Sequence, residues 1–345
     1  MKRLLLFLIC ILILMLAGTC QRTGSTREDG RITVTSLTFP SYDFVRAIAG
    51  DRVNLILLAS PGMESDSFEP SPRDIISIRD SDLFIYPGGE GTDWLHRILA
   101  SAGITEGSGP RILQLLDMVE GLEEEFVEGM EVFHGHDHDD DDDHDDHHDH
   151  HHDDDDDDDH DDHDHHHDDI ALDEHVWTSP RNAMLIVSAL TQTLAELDPA
   201  NADFFRQNAA AYISQLRDLD TALQELVTGA RRNLILVGDR FPFRYLAHHY
   251  GLSYYAAFSG CSTDTEPSAA TVAFLINQVR EHQLPVVFHI ELSTERIADT
   301  ISEATGARKL ELHSAQNVSM RDFNNGLTYL DIIKNNVESL REALW

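Results

Sequence analysis

Between Asp137 and Asp169 the chain contains only aspartate and histidine, 21 of the first and 12 of the second. A stretch without one apolar side chain cannot contribute to a core. Whatever folds must therefore close from its two flanks, and the tract is expected to be a surface loop bounded by Glu123 and Ile170. Fourteen histidines lie between His134 and His167. Imidazole is a borderline-soft ligand suited to zinc, copper and nickel, and the interleaved carboxylates add oxygen donors and a negative field. A loop without fixed geometry should hold several such ions weakly and exchange them quickly. Aspartate repeats alone would suit calcium, whereas alternating histidine favours a transition metal. The competing reading is a solubilising acidic insert.

The formal charge of −37 is dominated by this tract, and removing its 21 aspartates leaves −16 on the rest. That sign disfavours nucleic acid and favours cations as partners.

The amino terminus is basic at Lys2-Arg3 and then runs through 13 uninterrupted apolar residues, Leu4 to Leu16. That length is short of a bilayer span and reads as an export signal. Cys20 follows closely. Cleavage before it and acylation would make a lipoprotein held at the membrane face, although Thr19 and Ala17 match the usual lipoprotein signal imperfectly. Cys10 leaves with the signal, so Cys261 is the one thiol of the folded body and no internal disulfide framework is available. Cys261 reads as a packed small residue, with proximity to a metal as the alternative.

The remainder is long enough for two modest lobes. Arg31–Leu37, Val53–Ala59 and Asp82–Tyr86 have strand character, with helices predicted over Tyr42–Ala49 and after Ser71, where Ser71-Pro72-Arg73-Asp74 is a strong helix start. Pro180–Leu197 and Ala202–Val227 are predicted helices. In the second, Phe204, Phe205, Ala209, Tyr212, Ile213, Leu216, Leu219, Leu223 and Leu226 form a packing stripe. A second alternating set follows: strands at Asn233–Val237, Pro285–Ile290 and Lys309–Leu312, with helices at Phe243–Tyr250, Ala269–His282 and Glu295–Thr305, and a last helix reaching Leu340. Strands alternating with helices imply parallel sheets. The expected fold is α/β, with two similar lobes, each a mainly parallel sheet flanked by helices, joined by one long helix. Its predicted parts are a signal at 1–20, a linker at 21–30, an N-terminal lobe at 31–200 holding the loop 134–169, a connecting helix at 201–229 and a C-terminal lobe at 230–345.

Two further segments carry chemistry. Pro61 to Pro72 lies between a strand and a capped helix, where α/β folds place ligands, and it offers Glu64 and Asp66. Asp173-Glu174-His175-Val176-Trp177-Thr178-Ser179-Pro180 puts a histidine at a loop end before a Ser-Pro helix start. These two segments, with Glu266-Pro267-Ser268 and Tyr250-Gly251-Leu252, resemble the metal-binding proteins of bacterial zinc and manganese ABC importers. The resemblance runs from about Ile32 to Leu344, and its Asp/His loop is typical of the zinc members.

That resemblance implies an exported, monomeric protein that traps one zinc ion, or alternatively manganese, in a cleft between lobes. It would pass the ion to an ABC permease while the loop collects or buffers metal. Cys20 would tether it to the membrane surface if acylated. The family's metal-ligand pattern maps imperfectly. Its first histidine falls on Asp66, its second on His175, its third on Arg240 and its fourth ligand approximately on His313. Arginine cannot coordinate. The expected ligands are Asp66, His175, His313 and a fourth from Glu291 or Asp239, with Glu291 preferred because strand carboxyl ends line the cleft in this architecture. Arg240 could instead pair with Glu291 or Asp239, leaving three ligands and water. His248, His249, His282 and His289 have no motif support. A metalloenzyme is disfavoured, since there is no His-Glu-x-x-His element, nucleophile elbow or Gly-rich phosphate loop. A surface metal buffer or adhesin with a degenerate cleft site is the remaining alternative.

Overall fold

β-Branched residues dominate the first strand, Ile32-Thr33-Val34-Thr35-Ser36, and it lies buried at four of five positions. A strand covered on both faces belongs inside a parallel sheet. The computed structural model describes residues 30–63, 68–89, 92–104, 109–130, 171–262 and 266–345. The predicted signal, Cys20, Asp66 and the loop 134–169 lie outside the described residues, as does nearly all of the linker.

The first sheet contains β1 (Ile32–Ser36), β2 (Val53–Leu57), β3 (Leu83–Tyr86) and β4 (Arg111–Gln114) in the order β2-β1-β3-β4. All its pairings are parallel, with Val34 opposite both Leu55 and Leu83. The second sheet contains β5 (Leu234–Phe241), β6 (Ser253–Ser259), β7 (Val286–His289) and β8 (Arg308–Glu311) in the order β6-β5-β7-β8, again all parallel. Each sheet thus repeats one topology, and in each the strand order reverses beside its first strand. Crevices outside the carboxyl ends at such points are where open α/β sheets take ligands.

Helices α1 (Phe39–Ala49), α2 (Pro72–Asp80) and α3 (Asp93–Ser101) accompany the first sheet. Helices α4 (Pro180–Leu197) and α5 (Ala202–Gly229) connect it to the second, where α6 (Arg244–Tyr250), α7 (Ala269–Glu281), α8 (Arg296–Thr305), α9 (Met320–Asn324) and α10 (Tyr329–Leu344) follow. The start of α2 is a capping box: Asp74 N–H donates to Ser71 Oγ, and Ser71 N–H donates to the Asp74 carboxylate at 2.8 Å. Thr328 and Asp331 make the same reciprocal pair before α10. Both satisfy orphan donors of a first helical turn and place a carboxylate at its positive end.

Helix α5 has 28 residues and is about 42 Å long at 1.5 Å per residue. Phe205, Ala209, Tyr212, Leu216, Leu219, Leu223 and Leu226 are its buried apolar stripe from the second turn onward. They alternate spacings of four and three, which keeps one face inward. That face joins a core shared by α1, α4 and α10 and by residues of both sheets, from Val34 and Ile85 to Val237 and Phe288. The opposite faces have their own clusters, Phe84 with Ile78 and Leu99 in the first lobe and Leu236 with Leu275 and Ile301 in the second. The long helix is therefore packed along its length rather than free-standing.

Strand β5 contains an irregularity between Val237 and Arg240. A Cβ on Gly238 would lie 2.8 Å from the backbone of Ala298 in α8, so only glycine permits this approach. No helix among the described residues is long and apolar enough to cross a membrane.

Candidate metal centre

Asp173 begins a short loop that ends in helix α4, and hydrogen bonds hold it to both lobes. Its N–H donates to Leu122 O at 2.9 Å, and its carbonyl accepts from Tyr245 Oη of α6 at 2.8 Å. Trp177 is fully buried; its Nε1 donates to Ser314 O at 2.9 Å, and its carbonyl accepts from Tyr329 Oη at 2.6 Å. Ser179 then caps α4, accepting from Arg181 N–H at 3.3 Å.

His175 is only 1% exposed within this loop. The Asp173 carboxylate accepts from His175 N–H at 2.8 Å and sits 3.1 Å from its Nδ1. A carboxylate at that distance makes Nδ1 the donor and leaves Nε2 pointing away from it. Nε2 is buried without a hydrogen-bond partner. An unsatisfied buried polar atom costs about 1–3 kcal/mol, a cost that a bound cation would remove. Burial opposes charge on the ring, but Asp173 overrides it and holds the imidazole well above its ordinary value.

Beside this pair lies Cys261, in the loop after β6. Ligand atoms of Asp173, His175 and Cys261 all lie within 4.8 Å of one another, the one such cluster of three among the described residues. The backbone N–H of Cys261 donates to the Glu124 carboxylate at 2.9 Å. Burial pushes its thiol up to about 11, with His175 pulling in the opposite direction.

His313 and Glu291 are also brought together, with Nδ1 and Oε2 3.4 Å apart. Their hydrogen bonds differ from those of His175. Ala315 N–H donates to His313 Nδ1 at 2.9 Å, so in the neutral ring the proton sits on Nε2. The Glu291 carboxylate accepts from Ser314 N–H at 2.7 Å and from Ser314 Oγ. Asn336 fixes the His313 backbone on both sides, at 2.9 and 2.8 Å. Asp239 is raised by burial, with Ser293 and Arg240 pulling it back. The Arg240 guanidinium reaches Ser262 O at 3.5 Å, beside Cys261.

Asp66 lies outside the described residues, but the segment leading to it does not. Asn317 Nδ2 donates to Ser60 O and Met63 O at 2.9 and 2.7 Å, and Gly62 N–H donates to Val318 O at 2.7 Å. These bonds tie the approach to Asp66 to the loop that follows His313. The Trp177–Ser314 bond ties the His175 loop to the same place. The loops of His175 and His313 and the approach to Asp66 therefore adjoin, while the closest side-chain groupings are His175 with Asp173 and Cys261, and His313 with Glu291.

Asp173 carries no signal of its own in the sequence, and Cys261 reads there chiefly as packing. The missing signal was β6. With that strand in place, Cys261, Glu291 and His313 each stand two residues beyond a strand's carboxyl end, after β6, β7 and β8 respectively. His249 is half-buried, and its Nδ1 lies 2.6 Å from Ser179 Oγ. His289 is buried, with its Nδ1 3.0 Å from Ile290 O.

The family model described as ZnuA, zinc-uptake complex component A, periplasmic, matches residues 34–343. The chain is 30% identical over 340 residues to the high-affinity zinc uptake system protein ZnuA of Bacillus subtilis (strain 168), covering 97% of this chain and 95% of that protein. It is 28% identical over 343 residues to the zinc-binding lipoprotein AdcA of Streptococcus pneumoniae (strain ATCC BAA-255 / R6), covering 99% of this chain but 61% of AdcA. The crystal structure of the Zn(II)-bound ZnuA-like domain of Streptococcus pneumoniae AdcA superposes with a TM-score of 0.67 at 25% identity, covering 91% of this chain and 99% of that domain.

Proposed function

This chain belongs to the zinc-uptake complex component A family, and from that premise we propose that it captures zinc outside the cytoplasmic membrane and hands it to an ABC permease for import. Its role is carriage, and zinc is its cargo. The observation that carries the reading is His175: a buried imidazole with Nδ1 held by Asp173 and Nε2 left without a partner. Outer carboxylates of this kind orient metal-bound histidines and raise their basicity.

His175 leads the proposed ligand set, with Asp66, Glu291 and His313 as the other candidates. His313 and Glu291 lie side by side, Nδ1 and Oε2 3.4 Å apart, and together offer an imidazole and a carboxylate at one place. Two imidazoles with carboxylates suit zinc at four-coordination.

The Asp/His tract is proposed to gather or buffer zinc near this site, and Cys20 to carry a lipid that keeps a monomeric protein beside its permease. The chain's export reading agrees with the periplasmic description of the family and with the lipoprotein description of AdcA.

Zinc uptake from chelator-limited medium tests the role. Cells lacking the gene should accumulate less zinc, and the wild-type gene, but not His175→Ala, should restore uptake. Undiminished zinc accumulation in the deletion strain would contradict an import function.

A further inference from the structure

We propose that Cys261 is itself a zinc ligand, its thiolate binding the same ion as His175. The inference rests on the reading of His175 as a cargo ligand and adds a donor that the sequence-derived set of Asp66, His175, Glu291 and His313 does not contain.

Three independent observations carry it. The first is proximity: Cys261 Sγ lies in one cluster with a His175 ring nitrogen and an Asp173 oxygen, all within 4.8 Å. A tetrahedral zinc with Zn–S of about 2.3 Å and Zn–N of about 2.0–2.1 Å brings its donors to within roughly that separation. The second is the orphaned atom. Asp173 occupies the Nδ1 side of His175, which aims the buried, unpartnered Nε2 away from the carboxylate. Asp173 is thus the orienting group, and His175 is left with a nitrogen for an ion.

The third is how the thiol is presented. Cys261 stands two residues beyond β6, next to the carboxyl end of β5 in the same sheet. Its loop is held from two sides, by Glu124 accepting its backbone N–H at 2.9 Å and by Arg240 reaching Ser262 O at 3.5 Å. Gly260 is required there, since a Cβ would lie 2.8 Å from Phe241 O and 3.1 Å from Asp173 Oδ2. The close approach of this glycine to Asp173 is what brings the next residue to His175.

Coordination is a simple exchange. The S–H bond breaks, the proton goes to water, and a sulfur lone pair forms the Zn–S bond with no change in oxidation state. The donor also bears on selectivity. Thiolate is soft and favours zinc, whereas manganese prefers oxygen donors. A His–Cys pair therefore biases the site toward zinc.

Zinc K-edge X-ray absorption on the full chain is the test. The protein is loaded with one equivalent of zinc against a competing chelator strong enough to strip the Asp/His tract. A sulfur shell at about 2.3 Å is expected, and Cys261→Ser should remove it, which separates Cys261 from Cys10 and Cys20. The same variant should bind zinc at least about 100-fold more weakly, beyond the range typical of outer-shell groups, and its preference for zinc over manganese should fall.

Should Cys261→Ser fold poorly, the wild-type chain supplies a second readout. One equivalent of zinc should slow alkylation of Cys261, followed by peptide mass spectrometry, by at least tenfold. A tightly held equivalent with only nitrogen and oxygen neighbours, or equal alkylation with and without zinc, overturns the thiolate ligand and leaves the import reading standing. A wild-type chain that holds no zinc against the chelator overturns both.

Discussion

Asp173 and His175 show how much a single carboxylate decides. Asp173 Oδ1 accepts from the His175 backbone N–H at 2.8 Å and lies 3.1 Å from its Nδ1, so one oxygen holds both the loop backbone and the imidazole. His313 carries a carboxylate at 3.4 Å but also accepts a backbone N–H on the same nitrogen. One histidine thus has Nδ1 committed to a carboxylate, which leaves Nε2 as its metal-binding nitrogen, whereas the other's Nδ1 is shared between a carboxylate and a backbone N–H. Asp173→Asn should therefore weaken zinc binding by about 10–100-fold, the usual cost of losing an outer-shell carboxylate. Isothermal titration of the variant checks this, and unchanged affinity would show that Asp173 is merely structural.

At the scale of elements, helix α4 joins the site to the rest of the fold through Ser179. Its hydroxyl accepts from Arg181 N–H and lies 2.6 Å from His249 Nδ1, so the neutral ring of His249 accepts the hydroxyl proton. Burial, then the Arg181 cation and His248, depress His249 below the ordinary imidazole value, against opposing pulls from Asp220 and Glu120. A histidine depressed in the folded state is protonated more readily when unfolded. Its contribution is complete above about pH 6.5 and is lost as pH falls below that. Urea midpoints measured at pH 7.5 and 5.5 should differ less in His249→Gln than in the wild type. The gap should be worth up to about 1 kcal/mol, the size of one hydrogen bond. Equal pH sensitivity in the two proteins would contradict this.

Much of the element order was readable because short-range chemistry states it outright. Ser71-Pro72-Arg73-Asp74 announces a capping box, and the alternating stripe from Phe205 to Leu226 can only be a packed helix. What was not readable had weak local signals. Strand β6, Ser253-Tyr254-Tyr255-Ala256-Ala257-Phe258-Ser259, mixes aromatics with alanines and is extended because β5 pairs with it. Strand β4 is four residues with arginine and glutamine at its ends, and pairing with β3 settles it. Missing β6 concealed the placement of Cys261. The site suffered for the same reason: His175 could be named from its motif, whereas Asp173 and Cys261 meet through the close approach of Gly260, just past β6, to the Asp173 loop.

For the whole molecule, the shared core is the main mechanical fact. Residues of both sheets and of α1, α4, α5 and α10 belong to one apolar cluster, so the lobes are joined by packing as well as by chain connectivity. Such a body can hold a pre-formed site without help from the Asp/His tract, which offers numerous donors but no apolar surface with which to join that core. Two zinc populations are therefore expected, one held by the folded body and several held loosely by the tract. Competitive zinc titration of the chain with residues 134–169 deleted tests this most directly. One tightly held equivalent should survive the deletion and be lost in His175→Ala, with the weaker equivalents gone. Loss of tight binding along with the tract would contradict it and make the tract itself the functional site.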